Sequence, residues 1–267
     1  MIILLIILLI IFFIYYKKEG FSENICLIYN YYEKDEKYKE NLQYFLDNGI
    51  LEEVDYYFVI NGEYSIKFPN KPNIKIYNRE NKGYDFGAYS YVIDKIKEYD
   101  YYFFMNTSIK GPYLKDNSKW YTKFLELFNN NVHLVGTSIN ICTLPDVCID
   151  QNTQKTVNPH VQSMFFVLTK KFFNELKKEN FFNENEINNM TYMELVRNKE
   201  VNMSQICISK GYNINCILSK YKNLDYLNID KDINPSSEQG DPYFKGKYFG
   251  ESIDPYEVIF FKKNRDL

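Results

Sequence analysis

Residues 78–89, NRENKGYDFGAY, join a short apolar run (Ile74, Ile76, Tyr77) to a helical pattern (Tyr91, Val92, Ile93, Ile96). A strand, a polar glycine-containing loop and a helix in that order suit a phosphorylated ligand, because a helix entrance offers unpaired backbone N–H groups to an anion. Gly83 and Gly87 let the backbone turn tightly and approach a ligand. Asp85 brings one carboxylate to the helix entrance, as a cap or as an acceptor for a sugar hydroxyl. Asn81 is a hydrogen-bonding candidate for ribose or base, and Lys82 or Arg79 a counter-charge for phosphate. The plainer alternative is that Asp85 only caps the helix and the glycines only make a turn. A second polar loop, MNTSIKGPYL at 105–114, closes the apolar run 101–104. Two polar loops leaving the same edge of an α/β sheet define a crevice.

Strands are expected at 25–29, 54–62, 73–77, 100–105, 133–139, 161–169 and 212–218, and helices at 35–48, 87–98, 117–130 and 170–179. A helical stretch with internal breaks follows at 186–210, a long polar loop fills 140–159, and the tail from 222 is turn-rich. Alternating strands and helices in the first half predict an α/β fold with a mostly parallel central sheet; the second half is mixed. No repeat or long linker divides the chain. The expected organisation is an anchor at 1–18 and one domain at 24–267.

The N-terminal run 2–14, IILLIILLIIFFI, is continuously apolar and is followed by Tyr15, Tyr16, Lys17 and Lys18. Aromatic then basic residues mark a membrane interface. The run is short for a full span of about 20 residues, but with Tyr15 and Tyr16 it reaches across a thin bilayer. A hydrophobic anchor helix through residues 2–16 is expected, making the protein single-pass. By the positive-inside rule the lysines after it place the folded domain in the cytosol, whereas a Golgi-type enzyme would face the other way. Of the sequons at Asn106, Asn189 and Asn202, the first lies in the candidate site, where a glycan would block it. That also favours the cytosolic side.

A net charge of −3 gives no general attraction to nucleic acid, and no basic stripe or Walker loop is present. Codon bias and core packing account for most of the 26 Tyr and 21 Phe; Tyr84, Phe86 and Tyr113, beside the two loops, merit a functional reading. The five Cys fit no zinc spacing, and their odd number and scatter suggest free thiols in a reducing compartment. Cys142 and Cys148, flanking a proline-containing loop, are the pair that would bridge in an exported chain. The two His are too few for a His-based metal site, and His133, at the start of a strand, is expected to be structural.

The succession NKGYDFGAY, YDYYFFMNTSIKGPYL, HLVGTSI and HVQSMFFVLT, with SIDPYEVIFFKKNR at 252–265, resembles a family of glycosyltransferases. That family is related to the rhamnan-synthesis, polysaccharide-building group of bacteria, algae and large DNA viruses. The resemblance spans about residues 24–265. It implies a GT-A-like, Rossmann-type sandwich that takes a nucleotide-diphosphate sugar as donor and a glycan or glycoconjugate as acceptor. It also implies Mg²⁺ or Mn²⁺ on an Asp-x-Asp motif after the fourth strand, yet Met105-Asn106-Thr107-Ser108 stands there without a carboxylate. Hard divalent cations prefer charged oxygen ligands. Three alternatives follow. Cations such as Lys110, Lys262 or Arg265, with backbone N–H groups near Gly111, hold the diphosphate. Asp85 or another carboxylate, with Asn106, supplies the metal ligands. Or the site has decayed.

Family position puts the catalytic base in the helical segment before MSQICISKGY, with Glu200 first and Glu194 second; Asp241, in the loop GDPYF, is a third candidate. Asn106, Ser108 and Gly111 join Asn81, Lys82, Gly83, Asp85, Gly87, Lys262 and Arg265 as donor-binding candidates; His160 and Ser163 are acceptor-binding candidates. The rival expectations are a catalytically silent nucleotide-sugar- or glycan-binding protein of the same fold, and a membrane-anchored structural protein.

Overall fold

The computed structural model describes residues 23–144 and 156–262. The expected anchor, Cys148 and Arg265 lie outside the described residues. Among the described residues no helix is long and apolar enough to cross a membrane.

In chain order the strands are β1 (Ile25–Tyr31), β2 (Val54–Asn61), β3 (Ile74–Arg79), β4 (Tyr101–Asn106), β5 (Val132–Gly136), β6 (Ile139–Cys142), β7 (Asn158–Val161), β8 (Phe165–Thr169) and β9 (Asn213–Cys216). The main sheet has the order β3-β2-β1-β4-β8-β5-β9. Its first four strands are parallel. β8 runs antiparallel to both β4 and β5, and β9 is parallel to β5. β6 and β7 form a separate antiparallel pair. β1 is buried at every position and β4 at all but its first. Such runs of continuous apolar sequence belong to parallel strands covered on both faces.

The helices include α1 (Glu36–Asn48) and α2 (Tyr84–Val92). Asp35 caps α1 by accepting from the Tyr38 N–H at 3.1 Å, and Leu42, Phe45 and Leu46 form its buried face. The helix ends at Asn48–Gly49 as expected, with the Gly49 N–H on the Phe45 carbonyl. α2 starts three residues earlier than its apolar pattern suggests and stops sooner. Gly83, in the left-handed region (φ 66°), is its N-cap, so Asp85 lies within the first turn and is not the cap. The helix expected at 117–130 is reduced to one turn, α3 (Thr122–Leu125). Its apolar residues anchor individually: Trp120 donates its indole N–H to the Gly49 carbonyl at 2.8 Å and packs edge-on against Phe45 and Phe103. The strands expected at 133–139 and 161–169 are each broken in two, and the loop expected at 140–159 contributes β6 and β7 at its ends.

α4 (Lys170–Lys178), capped by Thr169, is followed by α5 (Glu184–Ile187) and then by one helical run in three parts: α6 (Tyr192–Leu195), a π-helical turn (Val196–Val201) and α7 (Asn202–Ser209). α8 (Pro255–Val258) leads into Phe260, which stacks on Phe165 at 4.7 Å within the core. Phe261 then pairs with Lys110 through two backbone hydrogen bonds of 2.8 and 2.9 Å. This strap delivers Lys262 to the edge where β1 and β4 end. His133 is structural, as expected: it is buried in β5 with Nδ1 3.0 Å from the Thr169 hydroxyl. Free, buried thiols are found at Cys26, Cys207 and Cys216, but Cys142 is disulfide-bonded, which departs from the expectation of free thiols throughout.

Candidate functional site

The strand order reverses between β1 and β4, with β2 and β3 on one side and β4 on the other. Open α/β sheets bind ligands in the crevice beyond such a point. Asn30 and Asn106 are register partners there. The Asn30 amide donates to Asp85 Oδ1 at 2.5 Å, and the Asn106 amide to Asp85 Oδ2 at 2.6 Å. The loops after β3 and β4 therefore meet through one carboxylate.

A chain of polar contacts supports this clamp. Arg79, ending β3, donates to Asn61 Oδ1 at 2.9 Å and to the Lys82 carbonyl at 2.8 Å. Asn61, ending β2, donates to Asn30 Oδ1. Ser108 donates both its backbone N–H and its hydroxyl to Asn106 Oδ1. Asn30, Asn61 and Asn106 are themselves buried, and the Asn61–Asn30 bond forms away from competing water, while the Arg79–Lys82 bond lies at the surface.

The clamp opens onto a cavity of about 770 Å³. Its floor comes from the strand ends (Asn30, Asn61, Asn106, Thr107, Ser108) and its walls from the entrance of α2 (Gly83, Tyr84, Asp85) and from Gln162, Ser163 and Met164. Tyr32 and Lys34 line it from the β1–α1 connection and Tyr38 from the first turn of α1; Asn81, Tyr192, Glu200 and Lys262 complete it. Burial pushes the Asp85 carboxyl above the usual carboxylate range; the Asn106 amide, the Lys262 ammonium and the Asn30 amide pull it back, while Glu200 adds to the rise. An ionised carboxylate has about four acceptor positions, so two remain for ligand hydroxyls.

Glu200 lies in the π-helical turn, a form that recurs at functional sites. Its neighbour Lys199 is buried and donates to the Phe181 carbonyl at 2.8 Å, with Glu186 at 3.4 Å. That pins one side of the turn inward while Glu200 faces the cavity. The Ser163 N–H donates to Glu200 Oε1 at 3.0 Å.

Of the residues expected from sequence, Asn81, Gly83, Asp85, Asn106, Ser108, Ser163, Glu200 and Lys262 share this cavity. The others stand elsewhere. Lys82 is exposed and pairs with Glu80 at 2.8 Å. Gly87 sits under the loop, where a Cβ would meet the Lys82 carbonyl at 2.2 Å. Gly111 is packed against the strap, its Cβ direction 2.3 Å from the Ile259 carbonyl. Lys110 turns to the Tyr44 ring at 5.0 Å. His160 is buried, with Nδ1 3.3 Å from the Asn158 carbonyl. Asp241 is buried behind the wall, 3.3 Å from the Gln162 amide. Glu194 closes a capping box with Thr191. Sequence reasoning missed Asn30, Asn61, Gln162, Lys34 and Tyr192. The usable signal was Asn at or next to the end of three parallel strands: ICLIYNY, VDYYFVIN and YYFFMN.

As the side chains stand, the donor set does not fit a hard divalent cation. Both Asp85 oxygens accept amide N–H groups, and Asn106 Oδ1 is turned to Ser108. Among the described residues no three His, Cys, Asp or Glu side chains group as a metal cage. Asn106 is buried and its amide is bound to Asp85, so its sequon is closed in the folded state.

The profile of a family described as Rhamnan synthesis protein F matches residues 73–241. No curated protein matches the chain. Among solved structures, it is similar to mannosyltransferase PcManGT from Pyrobaculum calidifontis, solved in complex with GDP-Man and Mn²⁺, at 8% identity and TM-score 0.45 over 73% of this chain. It is also similar to the glycosyltransferase GlyE of Streptococcus pneumoniae TIGR4, at 10% identity and TM-score 0.38 over 72% of this chain. HddC from Yersinia pseudotuberculosis aligns at 10% identity and TM-score 0.33, over 57% of this chain and 79% of HddC. The chain spans 55% of PcManGT and 44% of GlyE.

Proposed function

The chain belongs to the rhamnan synthesis protein F family, and on that footing we propose that it is a glycosyltransferase. It moves a sugar from a nucleotide-diphosphate donor to a hydroxyl of a glycan or glycoconjugate. Residues 24–267 form the GT-A-like transferase domain, and residues 2–16 tether it to a membrane. The observation that carries this reading is the amide clamp on Asp85 at the strand-order reversal, open to a cavity that also holds Glu200 and Lys262.

Asp85 takes donor hydroxyls on its remaining acceptor positions, and Asn81 and Ser108 add neutral hydrogen bonds beside it. Lys262 lines the cavity, as Lys34 does, and is the cation assigned here to the departing diphosphate. The acceptor oxygen bonds to the anomeric carbon as the bond from that carbon to the diphosphate breaks. The acceptor proton goes to Glu200: Oε1 is taken by the Ser163 N–H, which leaves Oε2 for the proton. Gln162, backed by Asp241, fixes the wall beside this carboxylate.

Calorimetric titration with UDP-, GDP- and dTDP-sugars, with and without Mn²⁺, tests donor binding, and product mass spectrometry tests transfer. The expected result is binding of one nucleotide class, abolished in Asp85→Ala, with turnover lost in Glu200→Gln. Absence of binding at millimolar donor would refute the proposal; binding without hydrolysis or transfer would leave a silent binding protein.

A further inference from the structure

Tyr84 and Tyr192 are the most exposed large hydrophobic side chains among the described residues, at 54% and 59%. Both line the cavity, and their rings meet at 5.6 Å with a 59° tilt. Two elements far apart in sequence therefore converge on one uncovered aromatic pair. Each ring is presented deliberately by its backbone. Tyr84 sits at φ 49°, directly after Gly83 at φ 66°. The left-handed region is costly for a bulky side chain and persists where the surroundings impose it, commonly at binding sites. Tyr192 opens α6, where Thr191 and Glu194 exchange the reciprocal bonds of a capping box. That box fixes the direction of the helix entrance.

Tyr192 also shares one helical run with Glu200. Eight residues separate them, about 12 Å at an ordinary helical rise. A ligand resting on the tyrosine pair thus extends along the same rail toward the proton acceptor. Tyrosine faces are electron-rich and each ring ends in a hydroxyl, a combination suited to the C–H face and hydroxyl edge of a pyranose ring.

We infer that Tyr84 and Tyr192 form a stacking platform for a pyranose ring of the acceptor glycan, one that holds the acceptor while its terminal hydroxyl reaches Glu200. The inference rests on the transferase reading for the role of Glu200, but the platform itself is a binding site that can be measured without turnover.

The test uses the full chain and the variants Tyr84→Ala, Tyr192→Ala, the double alanine variant and the double phenylalanine variant, each checked by circular dichroism melting. Saturation-transfer NMR with methyl α-L-rhamnopyranoside, methyl α-D-mannopyranoside and methyl β-D-glucopyranoside reads glycoside contact directly. The expected result is contact in the wild type, loss in the double alanine variant and retention in the double phenylalanine variant. In transfer assays, acceptor KM should rise roughly tenfold in the double alanine variant while donor Kd by calorimetry stays within twofold. Weakened donor binding with unchanged acceptor KM would overturn the inference and make the pair a nucleobase platform. Unchanged glycoside contact in the double alanine variant would overturn it outright. A wild type that contacts glycosides but binds no sugar nucleotide would sink the transferase reading and leave the platform standing.

Discussion

Asn30 and Asn106 stand opposite each other on adjacent parallel strands, and each gives its amide to a different oxygen of Asp85. The carboxylate is therefore bound to the sheet at both sides of the point where strand order reverses. A ligand entering this crevice meets a carboxylate that is already oriented, so little ordering cost remains at binding.

Asn106→Ala removes one of the two donors to Asp85, together with the acceptor for Ser108, whose loss adds a part that does not vary with pH. Hydrogen bonds to charged groups contribute about 1.5–3 kcal/mol, so urea unfolding at pH 7 should show a loss of that order. Asp85 titrates above its usual range through burial, and losing the Asn106 donor raises it further. The lost interaction is with the ionised carboxylate. The penalty should therefore be full above the folded-state pKa and shrink as pH falls through it. A penalty that stays constant as pH is lowered until the protein unfolds in acid would show that the amide does not act on an ionised Asp85.

Lys262→Ala removes the ammonium that opposes the rise at Asp85. The acid limb of donor binding should move to higher pH, because more hydroxide is needed to ionise the carboxyl. Donor affinity at pH 7.5 should fall and lose part of its salt dependence. Calorimetric Kd across pH and ionic strength reads both effects; an acid limb that moves downward would contradict the assignment.

Gly87→Ala places a methyl 2.2 Å from the Lys82 carbonyl, with Arg79 Nη1 and Asn188 Oδ1 each at 3.1 Å. Backbone must shift, at a cost of about 1–3 kcal/mol. The loop carrying Gly83 to Asp85 is the part displaced, so thermal melting and donor Kd should worsen together. Gly62→Ala is the control for added bulk, since nothing lies within 4 Å of its Cβ direction, although its φ of 85° brings strain of its own.

Thiol counting addresses the compartment. Cys26, Cys207 and Cys216 are free and Cys142 is bonded, so unreduced protein denatured with an alkylating agent should take up label at three of its five cysteines. Label at all five would favour a reducing compartment and the cytosolic orientation that Lys17 and Lys18 suggest.

Much of the parallel half of the fold is legible in the sequence, because buried parallel strands are continuous apolar runs separated by helix-period segments. ICLIY, VDYYFVING and YYFFMN read directly as strands. The second half is harder. The segment VQSMFFVLT holds the turn between β7 and β8 at Gln162 and Ser163, two polar residues that also pass as the outward positions of one continuous strand, and the Trp120 segment has helical spacing but is held by separate tertiary anchors. In the site, Asp85, Asn106, Ser108 and Glu200 were found through loop chemistry and family position. Asn30 and Asn61 were not, because an Asn closing an apolar strand reads as the start of a turn. Asp241 and His160 carry suitable chemistry, but only the tertiary packing reveals that both are enclosed away from the cavity.

Asn61 is followed by Gly62, the neighbour least able to hinder spontaneous loss of side-chain ammonia, a reaction that begins when the glycine nitrogen attacks the side-chain carboxamide carbon of the Asn. Both partners in that attack are occupied. The Gly62 N–H is committed to the Arg79 carbonyl, and the Asn61 carboxamide is held between Arg79 and Asn30. The pairing that supports the Asp85 clamp therefore also shields it from chemical ageing. Conversion of Asn61 to aspartate, which would replace a donor to Asn30 with a second negative charge, is left to chains that have lost their fold.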